Sequence, residues 1–308
     1  MLSFTLKQLQ IFIAVAEHRS YTTAAKSLYL TQPAVSMQIK QLEEMVDLPL
    51  FERIGKSISL TEAGHELLHY AKHIHEQLNE AGQLLKELKG HKRGKLHLTM
   101  ASTANYFAPQ LIAAFHHQFP DAQVQLSVTN RLGLLRTLDA NSTDMAIMGK
   151  PPEGHDLIGI PFMDNPLVII AYPDHPLVQR NTIPLAEIAD EPFIVREPDS
   201  GTRIAVERFF IQHGLQLRTG MEMNRTEAIK QAVMAELGLG IVSLHTLEME
   251  LALQRLVILN VESFPILRHW HLVHRQNKRF AAIPEAFKAF VLQNAQSLIR
   301  IEQIQSTP

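Results

Sequence analysis

One short stretch of this sequence has the spacing of a metal-dependent hydrolase. Residues 65–69 (HELLH) match the H-E-x-x-H pattern, in which two histidines on one helix face bind zinc and the glutamate acts as a general base. His73 extends this row by a further helical turn. No third ligand is evident, however, and the stretch lies inside a heptad-patterned helix, which favours a solvated helix face. No nucleophile–base pair is evident either, so we predict neither a metal site nor catalysis.

A second set of residues, between positions 20 and 43, has the pattern of a DNA-reading helix-turn-helix. Two helices that cross closely need small residues at the crossing, which Ala24, Ala25 and Ala34 supply. On the outward face of the predicted second helix, Gln32 can pair with adenine and Met37 can contact thymine methyl groups. Hydroxyl and basic side chains around that face suit phosphate contacts. The alternative is an amphipathic helical bundle that binds no nucleic acid. The candidate DNA-binding residues are Thr22, Thr23, Thr31, Gln32, Pro33, Ser36, Met37, Lys40, Arg53 and Lys56.

A third set consists of polar and basic residues that follow predicted strands. Open α/β sheets bind ligands outside the carboxyl ends of their strands, and helix N-termini at this edge hold anions through free N–H groups. Lys150, Arg196 and Arg203 would add positive charge, which favours an anionic ligand. Capping and turn chemistry can explain each cluster alone, whereas their joint placement predicts a binding site. The candidate ligand-binding residues are Ser102, Thr103, Asn130, Arg131, Gly149, Lys150, Arg196, Ser200, Gly201, Thr202, Arg203, Asn224 and Glu227.

The whole chain has the composition of a globular protein with more than one domain. Its 308 residues are 46% apolar and 19% charged, and none is cysteine, which excludes disulfides and thiolate metal sites. The net charge of −2 provides no global basic signature, so DNA binding must depend on locally placed cations. No run approaches the roughly 18 apolar residues of a membrane span, and the N-terminus lacks a signal-peptide pattern. We therefore expect a cytoplasmic protein without a membrane partner.

Helical periodicity organises the N-terminal third of the chain. Thr31 and Pro33 have the chemistry to begin a helix, and residues 54–57 suit a turn between two short extended pieces, as in a wing. These features predict an all-α winged helix-turn-helix over residues 1–61. A linker and dimerisation helix over residues 62–93 should follow, because its apolar residues alternate in steps of four and three, the spacing of a coiled coil. The predicted seam consists of Leu67, Ala71, Ile74, Leu78, Ala81, Leu85 and Leu88.

Strands that alternate with helices begin after the linker. This alternation predicts an α/β domain over residues 94–308, with mainly parallel sheets and helices on both faces. We predict two subdomains: subdomain I covers about 94–165 and 269–308, and subdomain II about 166–268. A small ligand would bind between them.

Several short motifs are those of a known family. They occur in order and nearly without gaps: Ala24-Ala25, residues 31–36 (TQPAVS), residues 38–43 (QIKQLE), Leu50-Phe51, Arg53 and residues 60–64 (LTEAG). The chain thereby resembles the LysR-type transcriptional regulators, also in its length and domain order. The resemblance implies a linker-helix homodimer, usually a homotetramer on double-stranded operator DNA, and two subdomains like type 2 periplasmic binding proteins that sense a small molecule. RNA polymerase is a further candidate partner.

Other motifs are similar to one subgroup, the regulators of Calvin-cycle (RuBisCO, cbb) operons. They are residues 30–42, 148–152 (MGKPP), 196–198 (REP), 227–235 (EAIKQAVMA) and 243–247 (SLHTL). This similarity implies control of carbon-fixation genes by a phosphorylated metabolite or NADPH, with no resident cofactor. The alternatives are a LysR-type regulator of another metabolic operon and a solute-binding protein.

Overall fold

The computed structural model describes residues 4–54, 57–88 and 94–299. These residues form two compact units, an N-terminal and a C-terminal one. None of the described helices combines the length and the apolar character needed to cross a bilayer.

The N-terminal unit consists of four helices and a β-hairpin. Its elements are α1 (Leu6–His18), α2 (Tyr21–Ser27), α3 (Gln32–Val46), β1 (Phe51–Ile54), β2 (Ser57–Leu60) and α4 (Glu62–Leu88). The side chains of Thr5, Ser20 and Thr31 each accept a backbone N–H at the start of one of the first three helices. Such caps satisfy donors that the helix itself leaves unpaired. Strands β1 and β2 pair antiparallel, as a wing requires.

The seam predicted for α4 is only partly available to a partner helix. Ala71 is fully buried in the core of its own unit, and Leu67 packs against the same core. Assigning Ala71 to a dimer seam was therefore wrong, because heptad spacing does not distinguish packing on a partner from packing on the same domain. Leu67 is only partly buried, so its place in the seam stays a prediction. Further along the helix, Ile74 and Leu78 are exposed in the single chain, as is Ala81. The side chains of Leu85 and Leu88 lie outside the described ones.

The C-terminal unit contains two five-stranded sheets and their covering helices. In chain order its elements are β3 (Lys95–Ala101), a 3-10 helix (Ser102–Tyr106), α5 (Ala108–Gln118), β4 (Gln123–Thr129), α6 (Arg131–Asp139), β5 (Met145–Met148), β6 (Leu157–Asp164), β7 (Leu167–Ala171), a 3-10 helix (Pro176–Gln179), α7 (Leu185–Ala189), β8 (Phe193–Arg196), α8 (Gly201–Gln212), β9 (Thr219–Met223), α9 (Thr226–Met234), β10 (Leu239–Ser243), a 3-10 helix (Leu244–Thr246), α10 (Glu248–Ala252), β11 (Val257–Ile258), β12 (His269–Arg275) and α11 (Ala282–Leu298).

The strand order is β4-β3-β5-β12-β6 in the first sheet and β11-β7-β10-β8-β9 in the second. Strands β3, β4 and β5 are parallel, as are β8, β9 and β10. The prediction of mainly parallel sheets was wrong, because β12 runs antiparallel to β5 and β6, and β7 runs antiparallel to β10 and β11. The chain crosses directly between sheets after Asp164 and before His269. Strands β7 and β12 therefore start at the edge where the parallel strands end.

Candidate nucleic-acid interface and ligand cavity

Helix α3 is held against the N-terminal unit by one apolar face. Val35, Ile39 and Leu42 are buried there. At the start of the helix, the Thr31 hydroxyl accepts the Ala34 N–H at 3.4 Å. The sequence therefore fixes both the first turn of α3 and the face that it leaves outward.

The outward face of α3 carries the side chains that were predicted to read bases. Gln32, Pro33, Met37 and Lys40 are exposed, whereas Ser36 is half-buried. Gln32 Nε2 donates to Ser36 Oγ at 2.8 Å, which orients the amide along the helix surface. The remaining candidates for DNA contacts lie outside α3: Thr22, Thr23, Thr31 and Arg53 are exposed, and Lys56 lies outside the described residues.

One exposed aromatic residue was missed by the sequence reasoning. Tyr29 lies in the turn between α2 and α3, has a left-handed backbone (φ 55°), and is 97% exposed. A large side chain that faces solvent completely beside the reading helix is a further candidate for a DNA contact. Its position in a turn gave no periodic signal.

A solvent-open cavity lined mostly by polar residues lies in the C-terminal unit, where the parallel strands of both sheets end. Nine of the thirteen predicted ligand-binding residues line it: Ser102, Thr103, Asn130, Arg131, Gly149, Arg196, Ser200, Gly201 and Thr202. Four do not, namely Lys150, Arg203, Asn224 and Glu227. The cavity thus draws its walls from the first turns that follow β3, β4, β5 and β8, as the open-sheet rule predicts.

The charges expected to hold an anion are largely neutralised by carboxylates. Arg196 is 7% exposed and donates to both carboxylate oxygens of Glu197, at 2.7 and 2.9 Å. Arg203 pairs with Glu207, and the exposed Lys150 lies 3.3 Å from Glu153. The positive charges of these three residues, which were predicted to hold the ligand, are therefore neutralised by neighbouring carboxylates.

Two residues that the sequence reasoning missed, Arg268 and Trp270, also line the cavity. Within the described part of the chain, no carboxylate lies at ion-pair distance from Arg268. Burial and the nearby positive charges of Arg131 and Arg208 lower the pKa of Arg268 to about 10, so it stays protonated at neutral pH. Trp270 is buried and its Nε1 has no hydrogen-bond partner in the described residues. A buried polar group without a partner is uncommon in folded proteins.

Tyr106 and Glu227 connect the two halves of the C-terminal unit away from the cavity. Tyr106 ends the 3-10 helix that follows β3, and its hydroxyl donates to Glu227 Oε2 on α9 at 3.0 Å. The Nζ atom of Lys230 lies 2.8 Å from Glu227 Oε2 and 2.6 Å from Glu250 Oε1. Glu227, predicted to contact the ligand, is thus placed in this network instead.

The hydrolase-like pattern lies on the surface of α4. His65, Glu66 and His69 are exposed. Among the residues described, no group of three or more histidine, aspartate or glutamate side chains has the geometry to hold a metal ion.

A helix-turn-helix unit with a wing, joined in one chain to an α/β unit with a polar cavity at its strand ends, defines a class of ligand-responsive DNA-binding regulators. Residues 6–65 match the model of the bacterial regulatory helix-turn-helix protein, lysR family, and residues 89–296 match the LysR substrate binding domain. The chain belongs to the LysR family, so the predicted family is confirmed, and it is a transcription regulator rather than an enzyme.

Similar proteins of known function include other transcriptional regulators. A RuBisCO operon transcriptional regulator of Allochromatium vinosum is 52% identical over 291 residues, which cover 94% of this chain and 96% of that protein. The transcriptional activator CmpR of Synechocystis is 40% identical over 99% of this chain and 100% of its own length.

Two solved structures are also similar. The regulatory domain of Synechocystis CcmR in complex with 2-PG is 40% identical, with a TM-score of 0.62 over 65% of this chain and 96% of that one. Full-length CbnR in complex with its target DNA has a TM-score of 0.70 at 22% identity, covering 94% of this chain and 99% of that chain. The latter supports the fold alone.

Proposed function

We propose that this chain regulates carbon-fixation genes and that a small anionic metabolite controls its activity. The observation that carries the proposal is the cavity in the C-terminal unit, where hydroxyls, amides and a helix N-terminus converge with guanidinium groups that no carboxylate in the described residues neutralises. The 52% sequence identity between this chain and a RuBisCO operon regulator supports carbon fixation as the controlled process.

The effector that fits these residues best is a small phosphorylated metabolite. The relative whose regulatory domain was solved with 2-PG is 40% identical to this chain over that domain, which supports 2-phosphoglycolate as the first compound to test. NADPH is the second candidate. The cavity needs no resident cofactor for this role, because its own side chains supply the donors.

Effector binding would act by shifting a conformational equilibrium. Residues after β3, β4 and β5 form one wall of the cavity, and residues after β8 form the other. A ligand that contacts both walls favours the conformation in which they are closest, and only this difference in affinity can change the population. We propose that the change is transmitted through a homodimer or homotetramer to operator DNA, and from there to RNA polymerase. Because operator DNA is the target, we propose that the protein acts in the cytoplasm.

A footprinting experiment tests this proposal. The full-length chain is titrated onto RuBisCO-operon promoter DNA and onto unrelated promoter DNA, with and without 2-phosphoglycolate or NADPH. We expect a protected site on the first DNA whose extent or affinity changes with one of these ligands. Protection that no ligand alters would contradict the effector proposal, and protection only on another metabolic promoter would favour a LysR-type regulator of a different operon.

A double variant provides the control for the cavity. Thr103→Val with Thr202→Val removes one hydroxyl from each wall at nearly constant volume. The ligand response should be lost while operator protection without ligand stays unchanged. An unaltered ligand response would mean that these hydroxyls do not contact the effector and would contradict the assignment of the effector site to this cavity.

A further inference from the structure

We propose that Tyr29 contacts operator DNA by donating its hydroxyl to a backbone phosphate at the edge of the groove that α3 enters. The contact differs from base reading by α3, because a bond to a phosphate fixes where the helix sits and carries no sequence information itself. The backbone at Tyr29, its exposure and the charges around it lead to this inference.

The turn that carries Tyr29 is held from both sides. Helix α2 ends in a Schellman motif, in which the Leu30 N–H donates to the Ala25 carbonyl at 2.9 Å and the Tyr29 N–H donates to the Lys26 carbonyl at 3.3 Å. Leu28 and Leu30, the two neighbours of Tyr29, both pack against the core of the N-terminal unit. Tyr29 is therefore presented to solvent from a fixed position.

Within the protein itself, this position is unfavourable for a tyrosine. Its backbone is left-handed, with a φ of 55°, and the residue at this place after a helix is usually glycine or asparagine. The six other non-glycine residues with positive φ in the described part of the chain have polar or charged side chains. Tyr29 gains no compensating contact, since it is almost fully exposed and its hydroxyl has no hydrogen-bond partner among the described residues. Strained backbone is concentrated at functional sites, so a strained residue without an internal benefit points to a partner outside the chain.

The charges around Tyr29 fit a polyanion as that partner. Residues 18–42 include no aspartate or glutamate, but they include Arg19, Lys26 and Lys40. Lys26 is exposed, and its carbonyl accepts the Tyr29 N–H. Among the residues that the structure describes, no carboxylate lies at ion-pair distance from the Lys26 amine. A chain with a net charge of −2 thus has a locally cationic surface beside Tyr29.

The helix-turn-helix arrangement specifies which part of the DNA Tyr29 meets. In this motif the first helix crosses the phosphate backbone, and the second helix enters the major groove. Tyr29 lies in the turn between them, just before α3 begins at Gln32. It therefore faces the DNA strand at the edge of the groove, where phosphate oxygens accept hydrogen bonds from tyrosine hydroxyls.

DNA binding by the full-length chain tests this contact on two duplexes. One has the sequence that the wild-type chain selects from a random library, and the other is a shuffled sequence of the same composition. Tyr29→Phe removes only the hydroxyl and should weaken binding to both duplexes by at least about tenfold, because a hydrogen bond to a charged group is lost. Tyr70→Phe removes another exposed tyrosine hydroxyl, on α4, and should bind like the wild-type chain.

Tyr29→Asn separates DNA contact from stability. Asparagine tolerates the left-handed backbone, and this variant removes the whole aromatic side chain. It should weaken binding to both duplexes at least as much as Tyr29→Phe, while the N-terminal unit melts at the same temperature or a higher one. Calorimetry of the full-length chain measures this, because the transition that Trp270 fluorescence does not follow belongs to the N-terminal unit.

Chemically altered DNA locates the contact. In the selected duplex, single phosphates are replaced one at a time by neutral methylphosphonates. At one position in each half-site, the replacement should weaken binding by the wild-type chain but not by Tyr29→Phe, because both changes remove the same charge-assisted bond.

The outcomes decide between three roles for Tyr29. Weaker binding of Tyr29→Phe and Tyr29→Asn to both duplexes, with an unchanged or higher melting temperature, supports the phosphate contact. If both variants bind like wild type, Tyr29 does not contact DNA. A loss confined to the selected duplex, together with an altered selected sequence, would assign Tyr29 to base reading instead, and a clearly lower melting temperature of Tyr29→Asn would assign it to the stability of the turn.

These results leave the proposed effector control untouched, because no ligand takes part in them. If the wild-type chain binds neither duplex, by contrast, the inference fails together with DNA reading by α3.

Discussion

Lys230 is the most deeply buried cation among the described residues whose exposure is given, and its replacement should destabilise the C-terminal unit. The side chain is 1% exposed. Its Nζ lies 2.6 Å from Glu250 Oε1 and 2.8 Å from Glu227 Oε2, donates to the Thr246 carbonyl at 3.0 Å, and lies 4.8 Å from the centre of the Tyr106 ring. Burial alone would lower the pKa of Lys230, but the hydrogen bonds to both carboxylates outweigh it, so the pKa is raised. The amine is therefore charged in the folded protein.

The magnitude follows from what Lys230→Met would leave behind. Methionine keeps most of the apolar stem, but the carboxylate of Glu250, only 15% exposed, would lose its cation, and the Thr246 carbonyl would lose a donor. Removing one partner of a buried ion pair costs about 3–5 kcal/mol. Glu227 is 53% exposed, so Glu227→Gln should cost less than about 1 kcal/mol.

Urea unfolding followed by Trp270 fluorescence measures this cost, because the only tryptophan lies in the C-terminal unit. Lys230→Met should lower the free energy of unfolding by about 3–5 kcal/mol. The double variant Lys230→Met with Glu250→Gln should recover much of that loss, since no charge is then buried alone. A loss below about 1 kcal/mol for the single variant, or a double variant as unstable as the single one, would refute the ion-pair account.

Three further changes test other parts of the protein. Gln32→Ala should weaken operator binding in gel shifts by about 1–3 kcal/mol and relax sequence preference at one base pair, and an equal loss on random DNA would exclude a base-reading role. Gly64→Ala should lower the melting temperature of the N-terminal unit, because the new Cβ would lie 2.1 Å from the Leu50 carbonyl oxygen. As a control, the Cβ of Gly82→Ala meets nothing within 4 Å, so this variant should leave the melting temperature unchanged or raise it. Burial lowers the pKa of His245 to about 4, so the folded state loses about 2–3 kcal/mol of stability as the pH falls from 6.5 towards 4. His245→Phe should flatten this part of the pH–stability curve, and an unchanged slope would assign it to other groups.

The parts of the protein that sequence predicted best are those whose signals are local. The helix-turn-helix is contiguous, and caps such as Thr31 and buried positions such as Val35 have recognisable spacing. Most of the cavity-lining residues were found for the same reason, because each directly follows a strand. The pairing of Arg203 with Glu207 was also readable, since oppositely charged residues four apart meet on a helix.

The parts that sequence missed depend on long-range pairing. Arg268 and Trp270 reach the cavity only because β12 pairs with β5 and β6, more than a hundred residues earlier in the chain. No local pattern signals an antiparallel strand inserted between two such elements. Likewise, the heptad spacing does not reveal that the apolar surface of Ala71 is covered by its own unit.

Selection of binding sites from a random DNA library tests the central claim most directly, because it asks whether α3 discriminates bases. The full-length chain, at moderate salt and with 2-phosphoglycolate present and absent, should enrich a pseudo-palindromic site with half-sites about one helical turn apart. The Gln32→Ala variant should enrich an altered site. If the DNA selected by the wild-type chain stays random in sequence under both conditions, and unspecific competitor DNA abolishes binding, the claim that α3 discriminates bases is contradicted.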